Sequence, residues 1–79
     1  FAQTLQKADS LFQNENYEEA GILYQEVVDN TKNLTDSLFA TTYHKLGVSQ
    51  YYLFQDQAAI NSWKLALKIR LQTLPKGHI

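Results

Sequence analysis

The sequence predicts an all-α fold in which four helices form two helical pairs. Four segments place apolar residues at the three- and four-residue spacing of an amphipathic helix. Only three glycines and one proline occur among 79 residues, whereas turn-rich β folds use more of both. No stretch alternates apolar and polar residues for long enough to form a half-buried strand.

The composition limits the other possibilities. Hydrophobic residues make up 44% of the chain, which is enough to build the core of one small domain. The absence of cysteine excludes disulfides, thiol nucleophiles and cysteine-based metal sites. No apolar run approaches the ~20 residues of a membrane helix, and no segment has the pattern of a signal peptide. We therefore expect a cytoplasmic protein without a membrane partner.

The first two helices are separated by a polar turn. This turn consists of Asn14, Glu15 and Asn16, and Asn16 is expected to cap the second helix. The carboxylates of Glu18 and Glu19 in the first turn of that helix interact favourably with its dipole. The apolar positions of the first helix are Leu5, Ala8, Leu11 and Phe12. Those of the second helix are Ala20, Leu23, Tyr24, Val27 and Val28.

A longer polar connector, Asn30 to Thr35, precedes the third helix, which Thr35 or Asp36 is expected to cap. Asp56 is the expected cap of the fourth helix, and Pro75 stops that helix. The apolar positions of the third helix are Phe39, Tyr43, Leu46, Leu53 and Phe54. Those of the fourth helix are Ala59, Ile60, Trp63, Ala66, Leu67 and Leu71.

The second pair contains a motif. It reads Tyr43-x2-Leu46-Gly47 and then Ala59-x3-Trp63, which resembles the tetratricopeptide repeat. The resemblance implies two antiparallel helix-turn-helix hairpins that stack as an α-solenoid. Gly47 and Ala59 would then lie where two helices come closest, with the ring of Trp63 beside them. An unrelated four-helix bundle is the alternative.

The first pair matches this family less well. Ala8 and Ala20 occupy the small positions, but Thr4 and Lys7 stand where the aromatic residue and the leucine would be. The predicted repeats cover about residues 1–34 and 35–74. Residues 75–79 resemble the linker that leads to a further repeat in the kinesin-light-chain-like, long-linker variant. Because stable arrays generally need three repeats, we expect either further repeats after Ile79 or self-association.

In this family the first helix of each pair lines a concave groove that binds peptides. Carried over by position, the groove residues on the first helix would be Leu5, Asp9, Phe12 and Gln13, with Ala2 beside them. Those on the third helix would be His44, Val48, Tyr51 and Tyr52, with Thr41 beside them. The lysines and asparagines with which some members bind a terminal carboxylate are missing. The resemblance therefore implies an aromatic, mildly polar surface that binds a protein or peptide.

Catalytic motifs are not found. His44 and His78 have no partner at metal-binding spacing, no serine lies in a nucleophile motif, and there is no glycine-rich phosphate loop. We therefore expect a protein-interaction scaffold that is not an enzyme and uses no cofactor or metal.

The net charge of −1 conceals an asymmetry along the chain. Residues before Ala40 carry a net charge of −5, and those from Ala40 onward carry +4. The first alternative is therefore a self-associating module that pairs an acidic half with a basic half of another copy. Nucleic-acid binding through Lys64, Lys68, Arg70 and Lys76 is a weaker alternative, and the overall balance argues against a nucleic-acid partner.

Overall fold

Four helices make up the structure, a computed structural model that describes residues 2–31 and 34–73. They are α1 (Ala2–Gln13), α2 (Tyr17–Asn30), α3 (Asp36–Tyr52) and α4 (Asp56–Thr73), and no strand occurs in the described ranges. The predicted all-α class is confirmed. The predicted linker at 75–79 lies outside the described residues.

The helix starts follow the predicted capping chemistry in two of three cases. The side-chain oxygen of Asn16 accepts a hydrogen bond from the Glu19 amide at 3.5 Å, and Thr35 Oγ1 accepts one from the Leu38 amide at 3.2 Å. The prediction for Asp56 is wrong, because α4 begins at this residue and Asp56 lies inside its first turn. A carboxylate there still interacts favourably with the helix dipole.

The turn between α1 and α2 ends α1 through a left-handed residue. Glu15 has a φ of 63°, its amide donates to the Phe12 carbonyl at 3.0 Å, and the Asn16 amide donates to the Leu11 carbonyl at 2.8 Å. These two bonds satisfy carbonyls that the end of a helix leaves free, in the manner of a Schellman cap.

The turn between α3 and α4 repeats this geometry 39 residues later, counted from Glu15 to Phe54. Phe54 has a φ of 62°, its amide donates to the Tyr51 carbonyl at 3.1 Å, and the Gln55 amide donates to the Gln50 carbonyl at 2.9 Å. Helical spacing predicts Phe54 on the apolar face of the third helix. The structure instead places it after the helix end, with 92% of the residue exposed.

Replacing Phe54 with glycine is expected to stabilise the fold by about 0.5–1 kcal/mol, because glycine adopts a positive φ without steric cost. Little packing is lost, since the ring is exposed. Urea unfolding of the wild type and the variant measures the difference. Glu15→Gly is the matched control and should shift stability in the same direction. A loss of stability in Phe54→Gly alone would mean that the ring packs against the protein.

The main core lies where α1, α2 and α3 meet. Its buried members are Ala8, Ala20, Tyr24, Val28 and Leu46. Half-buried side chains pack around them, namely Leu5, Leu11, Phe12, Leu23, Phe39 and Tyr43. All of these positions were predicted to be apolar faces of helices, so the helical spacing in the sequence identifies this core.

Small residues form the contact between α3 and α4. A Cβ atom added to Gly47 would lie 2.5 Å from Trp63 Cδ1, so only glycine lets the indole pack this close to α3. Ala59 and Ala66 are buried, and Ser62 Oγ donates to Gln50 Oε1 at 2.6 Å. The prediction that small residues and Trp63 meet between these helices is confirmed.

The outer side of α4 differs from the prediction. Ile60, Leu67 and Leu71 were assigned to one apolar face with Ala59 and Ala66, but all three are exposed. The contact with α3 uses the small residues, which leaves these aliphatic side chains on another side of the helix.

Each helix packs on its neighbours in the sequence, giving the contacts α1 with α2, α2 with α3, and α3 with α4. None of the four helices, within the part of the chain that is described, has both the length and the apolar character needed to cross a membrane.

Candidate protein-binding surface

Five aromatic side chains form a continuous series of ring contacts across all four helices. We call this series the aromatic row; in order it comprises Phe12, Tyr17, Tyr52, Tyr51 and Trp63. Phe12 meets Tyr17 edge to face at 5.6 Å between ring centroids, and Tyr17 stacks on Tyr52 at 4.5 Å. Tyr52 meets Tyr51 edge to face at 5.6 Å, and Tyr51 lies 5.9 Å from Trp63.

The stacked pair joins the two hairpins. Tyr17 begins α2 and Tyr52 ends α3, so their nearly parallel rings, inclined by 12°, bring the end of one helix against the start of another. Offset stacked pairs add about 0.5–1.5 kcal/mol beyond the burial of their area. The contact therefore helps to fix the orientation of the two hairpins.

The centre of the row is accessible. Tyr51 is 55% exposed and Tyr52 is 54% exposed, whereas Phe12, Tyr17 and Trp63 are half-buried. Tyrosines held by ring contacts on two sides lose less freedom on binding than isolated side chains do. The row thus presents a surface that is apolar and already ordered, with hydroxyl groups available for hydrogen bonds.

Trp63 anchors one end of the row. Its Nε1 donates to the backbone carbonyl of His44 at 3.3 Å. A pocket of about 300 Å³ lies beside it, lined by Tyr51, Asp56, Ala59, Ile60 and Trp63. This pocket is large enough for one apolar side chain.

The structure brings some of the eight predicted groove residues together. Tyr51 and Tyr52 are in contact, and Phe12 joins them through Tyr17. His44 and Gln13 are exposed and Val48 is half-buried. Leu5 and Phe12 pack against the core.

The sequence does not predict two members of the row. Tyr17 follows the predicted cap Asn16 without any sign of a ring contact, and the family resemblance implies for Trp63 only the contact between α3 and α4. Trp63 does make that contact, but its ring also extends to Tyr51. The available signals were an aromatic residue at a predicted helix start, Tyr17, and an aromatic residue in the repeat motif, Trp63. No spacing rule predicts that Tyr17 stacks on Tyr52, which lies 35 positions later.

Asp9, another predicted groove residue, forms a junction between three helices. Its Oδ1 accepts a hydrogen bond from the hydroxyl of Tyr24 on α2 and one from Lys45 Nζ on α3 at 3.1 Å. The carboxylate is therefore engaged within the protein and holds α2 and α3 against α1.

The environment of Tyr24 favours its neutral form. Tyr24 is completely buried, and this burial, together with the hydrogen bond to Asp9 and the negative charge of Asp9, raises the pKa of the phenol above its usual value of 10.0. Burial and then the charge of Asp29 also raise the pKa of Tyr43. Both phenols therefore resist ionisation in the fold.

Stability is expected to fall as the pH rises above about 10, the pKa of tyrosine in an unfolded chain. The folded-state pKa of Tyr24 is higher than that value, so its contribution is complete below pH 10 and is lost progressively above it. Tyr24→Phe should lose less stability between about pH 8 and pH 11 than the wild type does, as measured by urea unfolding. Leu65→Ala, which leaves every phenol in place, is the control and should keep the wild-type pH dependence. An equally steep decline in Tyr24→Phe would contradict this role of the buried phenol.

Within the described ranges, no group of three or more His, Asp or Glu side chains is arranged to hold a metal ion. The His44 side chain is exposed. Comparisons with family models, with curated proteins and with solved structures found no match to this chain.

Proposed function

We propose that this chain is a non-catalytic protein-interaction module that binds an extended protein segment across the aromatic row. The observation that carries the proposal is the continuous contact of five rings over four helices, with Tyr51 and Tyr52 more than half exposed. Tyrosine and tryptophan are enriched among the side chains that dominate binding energy at interfaces. A cytoplasmic location and a partner that is neither nucleic acid nor membrane belong to this proposal.

We further propose that the two hairpins stack as a tetratricopeptide-like solenoid. Phe12, Tyr51 and Tyr52 then lie on the inner face formed by α1 and α3, and Tyr17 and Trp63 of the second helices support them. Two features support this arrangement. Both hairpins turn through a left-handed residue with the same pair of backbone hydrogen bonds. Each helix packs on its sequence neighbours, as expected when repeats contact only adjacent repeats.

The shape of the surface favours a protein segment over a small molecule. The row is open and extends over several side chains, and small-molecule sites are normally enclosed cavities. An extended segment could lie along the rings and place one apolar side chain in the pocket between Tyr51, Ile60 and Trp63.

A selection from a displayed library tests this function. The library contains random peptides of about ten residues, which span roughly 33 Å when extended. Such peptides are long enough to contact several rings of the aromatic row at once. We expect the wild type to select peptides rich in apolar side chains. Tyr51→Ala/Tyr52→Ala should weaken their binding about tenfold or more. Tyrosine is enriched among the interface residues whose truncation costs more than about 1 kcal/mol, and a total loss of about 1.4 kcal/mol is a tenfold change in affinity.

Leu65→Ala is the matched control for this experiment. Leu65 is an exposed apolar residue of α4 that does not belong to the aromatic row, so its truncation should leave peptide affinity unchanged. Circular dichroism would establish that both variants fold. Selected peptides that bind the double tyrosine variant as tightly as the wild type would remove the aromatic row as the binding site.

A further inference from the structure

The outer face of α4 is apolar and basic. Ile60, Leu67 and Leu71 are 42%, 58% and 60% exposed. Because these positions lie seven and four residues apart, they share one side of the helix. Lys64 and Lys68 are exposed and lie four residues apart on the same side. We call these five residues the α4 outer face.

The outer face of α2 has the opposite charge. Ile22, which is 61% exposed, lies at its centre, and Glu18 and Glu26 lie one turn before and one turn after it. Glu19 and Asp29 are also exposed on this helix. We call the side of α2 that carries Ile22 and these four carboxylates the α2 outer face.

The α2 outer face also borders a depression. A pocket of about 450 Å³ beside Ile22 is lined by Gly21, Leu46 and Leu53 and by the polar residues Glu18, Gln25, Gln50 and Gln55. Its size is sufficient for a leucine side chain, which would contact Ile22, Leu46 and Leu53 there. A helix that carries both leucines and lysines would therefore find apolar contacts and carboxylates at the same place.

We propose that the α4 outer face of one copy of this chain docks on the α2 outer face of a second copy. Leu67 or Leu71 enters the pocket beside Ile22, and Lys64 and Lys68 approach Glu18 and Glu26. The complementary charges identify the occupant, since the chain itself supplies both the basic apolar helix and the acidic receptor.

One such contact joins two unlike faces and is therefore heterologous. In a pair joined by a single contact, one copy keeps its α2 outer face unoccupied and the other keeps its α4 outer face. Such contacts continue into larger assemblies unless they close into a ring. The proposal does not require the aromatic row to bind a peptide. Peptide binding and assembly can therefore succeed or fail separately.

Sedimentation velocity of the 79-residue chain tests the assembly. At concentrations up to about 0.5 mM, within the range of weak interfaces, the wild type should form species larger than a dimer. Their proportion should fall as salt rises, because exposed charges are screened over about 8–10 Å at 0.1–0.15 M ionic strength. A wild type that stays monomeric at all of these concentrations would overturn the proposal.

Two charge-reversed variants make the test specific. Lys64→Glu/Lys68→Glu and Glu18→Lys/Glu26→Lys should each be monomeric under conditions where the wild type assembles, since each brings like charges together. A mixture of the two variants should associate again. The unchanged basic α4 outer face of one variant then meets the unchanged acidic α2 outer face of the other, and the two reversed faces are also complementary. Thermal unfolding of each variant alone would establish that it remains folded.

The mixture also distinguishes this contact from other modes of association. If either reversed variant assembles as strongly as the wild type, or if both are monomeric and their mixture stays monomeric, the paired faces are not the interface. Leu67→Gln/Leu71→Gln removes the apolar part without changing charge. It should abolish assembly, and unchanged assembly in this variant would also overturn the proposal.

Discussion

Replacing Gly47 with alanine is expected to lower the free energy of unfolding by up to about 2 kcal/mol. Overpacking costs about 1–3 kcal/mol, and the higher helix propensity of alanine offsets about 1 kcal/mol of this. The new Cβ would lie 2.5 Å from Trp63 Cδ1 and 3.0 Å from Trp63 Cε2. The indole cannot move away freely, because its Nε1 is bonded to the His44 carbonyl and its ring contacts Tyr51. The substitution therefore separates α3 from α4 or displaces Trp63 from the aromatic row.

Gly21→Ala is the matched control. Gly21 is also a buried helical glycine, but its added Cβ would lie 3.5 Å from the nearest atom, Ser49 Cβ, which is an ordinary contact. Alanine should then stabilise α2 by up to about 1 kcal/mol through its higher helix propensity. Chemical denaturation compares the two variants. Equal effects of both substitutions would show that Trp63 does not occupy the space beside Gly47.

Asp9→Ala is expected to lower the free energy of unfolding by about 2 kcal/mol, because it leaves the buried Tyr24 hydroxyl without its acceptor. An unsatisfied buried polar group of this kind costs about 1–3 kcal/mol. The loss of the ion pair with Lys45 adds little. The two side chains are 41% (Asp9) and 32% (Lys45) exposed, and such partly exposed pairs contribute at most about 1 kcal/mol. Lys45→Ala should therefore cost much less than Asp9→Ala.

A double-mutant cycle separates these contributions. In a Tyr24→Phe background no hydroxyl needs an acceptor. Asp9→Ala should therefore lower the free energy of unfolding much less there than it does in the wild type. Urea unfolding at neutral pH supplies the four free energies of unfolding. An undiminished effect of Asp9→Ala in that background would mean that the hydrogen bond from Tyr24 does not stabilise the fold.

Local signals in the sequence predicted the helices and most of their caps. Asn16 and Thr35 cap helices as expected, because a short polar side chain before an amphipathic segment has few other roles. The core around Tyr24 and Leu46 followed from helical spacing for the same reason. In both cases the information lies within a few residues along the chain.

The wrong predictions concern residues whose placement depends on where a helix ends or on which neighbouring helix it packs against. Phe54 continues the apolar spacing of the third helix, but α3 stops at Tyr52 and Phe54 takes a left-handed conformation in the turn that follows. Ile60, Leu67 and Leu71 have helical spacing too, yet α4 packs on α3 through small residues and leaves these side chains exposed. Spacing shows that a face is apolar but not which neighbour covers it.

The candidate surface was only partly predictable. The family resemblance pointed to Tyr51 and Tyr52, and the structure adds Tyr17 and Trp63 as the rings that support them. Those contacts join different helices, so they depend on how the hairpins are oriented. The sequence also shows that acidic residues prevail before Ala40 and basic residues after it. Only the structure shows that Lys64 and Lys68 share a face with exposed leucines.

The central claim, that the aromatic row binds a protein segment, is tested most directly by nuclear magnetic resonance. Trp63 is the single tryptophan of the chain, so its indole N–H signal is unambiguous. Addition of a library-selected peptide should shift this signal and the ring signals of Tyr51 and Tyr52, and should leave Ile22 on α2 unaffected. Shifts confined to the α2 and α4 outer faces, with the signals of Tyr51, Tyr52 and Trp63 unchanged at saturation, would contradict the claim.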